Sequence, residues 1–175
     1  MKKLFAAFVF AALPALAMGA VSNYPLDKVD IDLRDKAALQ DGARTFANYC
    51  MGCHAAQYQR YERVADDLGI PHEIMLDNLV FNDAKIGDHM KIGMKPDDAK
   101  AWFGAAPPDL TLVARVRGND WLYTYLRTFY DDPSRPLGAN NKVFPNVGMP
   151  NVLVALQGKQ VIGCKQVQVV ENGKK

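Results

Sequence analysis

Apolar positions recur along this chain mostly at helical spacing, in short stretches separated by long connections. Over residues 38–50, Leu39, Ala43, Phe46, Ala47 and Cys50 follow one another at spacings of four, three, one and three, which sets them on one helix face. Gly42 lies on that face, four residues before Phe46. Glycine inside a helix costs up to about 1 kcal/mol against alanine, so Gly42 suggests close approach of another element. Residues 57–68 read as a polar helix stopped by Gly69-Ile70-Pro71. Residues 72–81 carry Ile74, Leu76, Leu79, Val80 and Phe81 and form a further helix candidate. Residues 96–103 open with proline and two acids, the composition of a first helical turn. Asn119 or Asp120 is a suitable N-cap for a helix whose stripe is Trp121, Leu122, Tyr125, Leu126 and Phe129, ending at Asp131-Asp132-Pro133.

The remaining stretches lack that period. Residues 20–37 are charged and poor in large apolar groups, and read as an extended arm on the surface. Residues 82–95 read as a loop, and residues 104–108 break the chain. Residues 133–150 hold four prolines and two glycines; so long a loop in a compact domain is usually functional or disordered. Two apolar runs, 152–156 and 167–170, favour strands with a turn at 158–160. The expectation is a mainly α fold with long loops and a small β element near the C-terminus. Neither a repeat nor a second domain boundary is visible, and 175 residues is roughly one domain.

The start of the chain has a different purpose. Met1-Lys2-Lys3 is basic, residues 4–17 are apolar and uncharged, and Ala15, Ala17 and Gly19 offer small residues for cleavage. Residues 1–19 therefore read as a secretory signal peptide, too short an apolar run to be a membrane span. Removing Lys2 and Lys3 leaves 19 of the 21 basic residues against 19 acidic ones. A chain without net charge has no basic field for nucleic acid. With 49% hydrophobic and 23% charged residues it is not a disordered chain either. Three cysteines are too few for a disulfide scaffold, and one of them must lack a partner within the chain.

Chemistry concentrates in Cys50-Met51-Gly52-Cys53-His54, a C-x-x-C-H motif, the attachment signature of a c-type haem. Residues three apart on a helical turn share a face, so both thiols reach the vinyl groups of one porphyrin edge. The adjacent histidine then offers its imidazole to the iron. A thioredoxin-like C-x-x-C would want a βαβ context, whereas here a helix precedes the motif. A zinc site would have to recruit His72, His89 or Cys164, none of them paired. A disulfide across one helical turn is strained. A methionine at the sixth iron position makes an electron-transfer haem; an open position suits ligand or peroxide chemistry. Met51 lies within the attachment turn and Met75 in an apolar run that favours a core role. Met90, Met94 and Met149 remain, with Met149 best set, between Gly148 and Pro150 in a proline-stiffened loop.

Further segments bear a resemblance. Ala105-Ala106-Pro107-Pro108-Asp109-Leu110-Thr111, followed by Arg115-Val116-Arg117-Gly118, is similar to the APPDLS…AR segment of cytochrome c1, the haem subunit of the ubiquinol–cytochrome c reductase (bc1) complex. Phe144-Pro145-Asn146-Val147-Gly148-Met149-Pro150 resembles the family's axial-methionine loop in its bacterial form, and residues 120–126 the helix between them. The likeness runs from about Asp27 to the C-terminus.

It implies a c-type cytochrome fold around one covalent haem c, held by Cys50 and Cys53, with His54 and Met149 as axial ligands to iron. It further implies Arg117 at a haem propionate and Pro107 and Pro108 as walls of the haem pocket. Asp66, Asp67, Glu73, Asp131 and Asp132 would belong to an acidic face for a basic cytochrome c. By resemblance the chain is not an enzyme by itself. It is an electron-transfer subunit beside cytochrome b and the Rieske iron–sulfur subunit, at the periplasmic face of a bacterial inner membrane. It would take electrons from the iron–sulfur subunit and pass them to a soluble cytochrome c.

The family continues past the methionine loop to a second helix and a membrane anchor, and its counterpart of Cys164 pairs further along. Residues 20–175 are therefore expected to be one cytochrome c domain lacking its C-terminal part, with membrane association through the complex or through that anchor. Two rivals remain: a free-standing periplasmic monohaem shuttle, and a haem enzyme such as a peroxidase.

Overall fold

The computed structural model describes residues 24–163. The leader at 1–19, Cys164 and the strand expected at 167–170 lie outside them. Helix α1 (Lys36–Thr45) starts where Asp35 accepts the Ala38 N–H at 3.0 Å, a side-chain cap that begins the helix two residues before the apolar period does. It continues into a π-helical turn, Phe46–Cys50, closed by Met51 N–H donating to the Phe46 carbonyl at 3.1 Å. Such π turns recur at functional sites. The space around Gly42 contradicts the expected close approach: a side chain there would meet nothing within 4 Å. Its helical cost is simply borne.

Strand β1 (Ala56–Arg60) corrects the helix expected from residue 57. It pairs antiparallel with β2 (His89–Met90), inside the stretch expected to be loop, with a bulge between the partners Ala56↔Met90 and Arg60↔His89. Residues 57–60 obey their strand partners rather than their own period. Helix α2 (Tyr61–Leu68) takes the rest of the run and stops at left-handed Gly69, φ 69°. Helix α3 (His72–Leu79) ends two residues early, because Val80 turns extended and leaves Phe81 exposed. These elements enclose the first core: Ala47, Ala56, Tyr61, Ala65, Met75, Leu79 and Met90. Fully burying one such large side chain contributes about 1.5–3 kcal/mol.

Helix α4 (Pro96–Phe103) follows its expected bounds and ends at Gly104, φ 80°. Helix α5 (Val113–Arg117) is one short turn that the period does not reveal. Helix α6 (Asn119–Arg127) is preceded by Gly118 at φ 85°, ψ 157°, a conformation essentially reserved for glycine. Asp120 does not cap it. Its carboxylate accepts the Val29 N–H at 3.0 Å and pairs with Lys28 at 2.6 Å, while Thr124 Oγ1 accepts the Asp27 N–H at 2.9 Å. The mostly exposed N-terminal arm is thus stitched to α6.

Phe129, expected on that helix, begins β3 (Phe129–Asp131), which pairs antiparallel with β4 (Ala139–Asn141) inside the expected loop 133–150. Phe129, Ala139 and Val147 form a second core, flanked by Tyr125 and Met149. The strand expected at 152–156 is instead a helical turn, α7 (Val154–Gln157). A run that short has no period to separate strand from helix. Among the described residues the fold is mainly helical, with seven α-helices and two two-stranded sheets. None of these helices is long and apolar enough to cross a membrane.

Candidate haem-attachment site

The motif sits where α1 and its π turn end. Cys53 N–H and His54 N–H both donate to the Cys50 carbonyl, at 3.1 and 2.9 Å, so the five residues wrap one tight turn. Cys50 and Cys53 are free, half-buried thiols. Burial pushes the Cys50 thiol up, and Cys53 beside it adds to the effect. A redox-active C-x-x-C lowers its attacking thiol instead. The motif also follows a helix and leads into a strand, the reverse of the thioredoxin arrangement. Among the described residues, no group of three or more His, Cys, Asp or Glu is gathered to hold a metal ion.

His54 is fixed from outside the motif. Its Nδ1 lies 2.7 Å from the Pro108 carbonyl. A carbonyl only accepts, so Nδ1 carries the proton and Nε2 keeps a lone pair for a metal. The segment around Pro108 is itself zipped to the chain after the motif. Leu110 N–H donates to the Ala55 carbonyl at 2.8 Å, Gln57 N–H to Asp109 Oδ2 at 2.8 Å, and Tyr58 N–H to Thr111 Oγ1 at 3.3 Å. Burial pushes the Asp109 carboxyl up, but hydrogen bonds from Gln57 and Thr111 outweigh it and hold it below the usual range. Pro107 is half-buried and Pro108 exposed. A cavity of about 290 Å³ lies beside the motif, bordered by Cys53, Met94, Ala99 and Pro107 among others.

The loop after β4 carries Met149, the thioether expected to serve the same haem. Asn141, 1% exposed, accepts the N–H groups of Val143 and Phe144 at 2.8 and 3.0 Å and donates to the Tyr125 carbonyl at 2.7 Å. Asn140 Oδ1 accepts the Asn146 N–H at 2.8 Å, and Arg135 donates to the Asn146 carbonyl at 3.0 Å. Asn146 sits at φ 63°, which asparagine tolerates better than most residues. This frame delivers Met149, half-buried, against the second core, where the Tyr125 hydroxyl donates to its sulfur at 3.3 Å. Burial pushes the Tyr125 phenol up to about 12. The loop also reaches α4: a side chain at Gly148 would lie 3.9 Å from the Phe103 carbonyl.

The other thioethers are differently engaged. Met75 and Met90 lie in the first core, Met51 packs against it, and Met94 lines the cavity. Arg117 is exposed and stacks 5.0 Å over the Trp121 ring. Four of the five expected acidic residues are locally paired, Asp66 with His72, Asp67 with Arg63, Asp131 with Lys159, and Asp132 with Ser134 and Asn140, while Glu73 is exposed in the first turn of α3. Asp109, Tyr125, Arg135, Asn140, Asn141 and Asn146 escape the sequence reading as site residues. The signal for the last four is their place in an aperiodic loop. Tyr125 is hidden because it also fits an apolar stripe.

The donor set suits a c-type haem: two thiols on one turn, an imidazole with a free Nε2, and a thioether on a preformed loop. The model of the Cytochrome C1 family matches residues 29–161. The chain is 52% identical over 160 residues to cytochrome c1 of Allochromatium vinosum, covering 91% of this chain and 66% of that protein. It is 46% identical over 149 residues to a Nitrosomonas europaea protein named ammonia monooxygenase gamma subunit, covering 85% and 63%. It is 25% identical over 149 residues to the mitochondrial cytochrome c1 heme protein of Neurospora crassa, covering 71% and 44%. The chain thus spans about two thirds of the length of the first of these relatives and less of the other two.

Proposed function

The chain belongs to the cytochrome c1 family, and on that premise we propose that it is a one-electron carrier built around one covalent haem c. The observation that carries this reading is the clamp of His54 Nδ1 on the Pro108 carbonyl, which leaves Nε2 free on the residue that follows Cys53. When bound, the haem supplies a one-electron ferric/ferrous couple. Cys50 and Cys53 would hold it through thioethers, and His54 and Met149 would supply the imidazole and thioether ligands to its iron. Pro107 and Pro108 would wall the ring edge. Arg117, which stacks on Trp121, would pair a propionate, for which a guanidinium fork is suited. Nothing in this scheme asks the protein to make or break a substrate bond.

The partners follow from the same premise: an iron–sulfur subunit as donor and a soluble cytochrome c as acceptor, beside cytochrome b, at the periplasmic face after export through residues 1–19. Coexpression with haem-attachment machinery, then haem staining of a denaturing gel, tests the attachment. Stain should persist in wild type and vanish in Cys50→Ser/Cys53→Ser. Wild-type protein that releases its haem under denaturation would refute the reading. Copurification with the cytochrome b and iron–sulfur subunits tests the partners; isolation alone and a membrane-free electron shuttle in the periplasm would refute them.

A further inference from the structure

We propose that Tyr125 is a positioning residue for the Met149 thioether, its O–H···S hydrogen bond raising the reduction potential of this chain. The proposal rests on the axial role assigned to Met149 above. Four observations support it. The hydroxyl lies 3.3 Å from the sulfur. The Tyr125 ring is held on two sides, stacked at 4.8 Å and 9° on Trp121 and edge-on at 5.1 Å to Phe129. The Tyr125 carbonyl takes the Asn141 amide, and that same side chain ties down Val143 and Phe144, so donor helix and acceptor loop are fixed to one another. Finally, Tyr125 flanks an apolar core, where phenylalanine or leucine would fill the space without a polar group to satisfy. A part-buried phenol facing a core ordinarily finds a partner, and here the partner is a weak acceptor placed for another purpose.

The consequence follows from lone pairs. A thioether sulfur has two; with one directed to iron, the other accepts the Tyr125 proton. Sharing the second pair weakens the sulfur as a donor. A weaker donor takes more stabilisation from the ferric state, which demands more electron density, than from the ferrous one. Gain of one electron is thereby favoured, the second-coordination hydrogen bond being one of the levers proteins use on such sites.

The test uses the haem-loaded protein and three variants, Tyr125→Phe, Tyr125→Leu and Met149→Leu, with spectroelectrochemical titration and the red thioether-to-ferric-iron absorption band. Tyr125→Phe keeps the ring and the band but should shift the one-electron equilibrium three- to tenfold toward the oxidised form, tenfold being about 59 mV. Tyr125→Leu should shift it at least as far. A Tyr125→Phe potential within twofold of wild type overturns the proposal. Met149→Leu should abolish the band; if the band persists, the ligand assignment fails, which is a separate result. Should Tyr125→Phe not accumulate, proton NMR of the ferrous wild type decides. A slowly exchanging Tyr125 hydroxyl with an Overhauser contact to the Met149 methyl supports the bond, and its absence overturns it.

Discussion

Asn141→Ala tests whether one buried side chain holds the methionine loop together. The Asn141 carboxamide satisfies three backbone groups: the N–H of Val143, the N–H of Phe144 and the carbonyl of Tyr125. Alanine leaves all three without that partner. Each buried unsatisfied group costs about 1–3 kcal/mol. Water entering from the exposed Phe144 side recovers part of this, so about 3–5 kcal/mol is expected in total. For a domain near 150 residues, that lowers the melting temperature by about 6–20 °C. The assay is thermal unfolding of the haem-loaded protein by circular dichroism, with Asn48→Ala as control. Asn48 is exposed and donates only to the Arg44 carbonyl, so it should change stability by less than about 0.5 kcal/mol. An Asn141→Ala melting point within about 2 °C of wild type would refute the reasoning, because the loop would then be held by its prolines and by the Asn140 and Arg135 contacts to Asn146 without Asn141. The mutation should also loosen Met149 while leaving covalent haem attachment intact, since Cys50 and Cys53 lie outside that loop.

Gly118→Ala should cost about 1–3 kcal/mol in urea unfolding, because φ 85° with ψ 157° is strained for any side chain although open space surrounds it. Asp109→Ala should cost about 1–3 kcal/mol and speed hydrogen exchange at Gln57 and Thr111, whose N–H groups lose their acceptor. Lys28 and the Val29 N–H hold the Asp120 carboxyl below its ordinary value. A depressed carboxylate stabilises the folded state above its unfolded pKa of about 3.9, and that contribution disappears as pH falls through the folded value. The arm should therefore become protease-sensitive at residues 24–32 as pH drops below about 4, while Asp120→Asn should be sensitive already at pH 7 and show less change on acidification.

The attachment site was legible because its chemistry is local. Two thiols, three residues apart, and a following histidine need only one turn of chain to face the same edge, and the turn is what the backbone forms. The hold on His54 was not legible as geometry, since Pro108 lies 54 residues away and its carbonyl carries no side-chain signal. The resemblance marked Pro108 but said nothing of the hydrogen bond. Tyr125 is the sharper case. Its position in the stripe of Trp121, Leu122 and Leu126 correctly placed it on a helix facing the core, and that same apolar logic concealed its hydroxyl.

Helix α4 followed its sequence bounds because proline, acids and a terminal glycine are all short-range signals. Residues 57–60 and 152–156 did not follow theirs. The first became a strand because His89 and Met90, some thirty residues on, offered backbone partners. The second became a turn of helix because an apolar run of five residues favours neither form until something packs on it. By itself, then, the sequence determined which atoms could bind haem and roughly where most helices lie, since both depend on neighbours within one or two turns. Only the tertiary structure decided which tautomer His54 keeps, which thioether receives a hydrogen bond and which asparagines frame the loop. Each of these depends on groups brought together by closing long stretches of chain, where pairing is set by packing rather than by spacing.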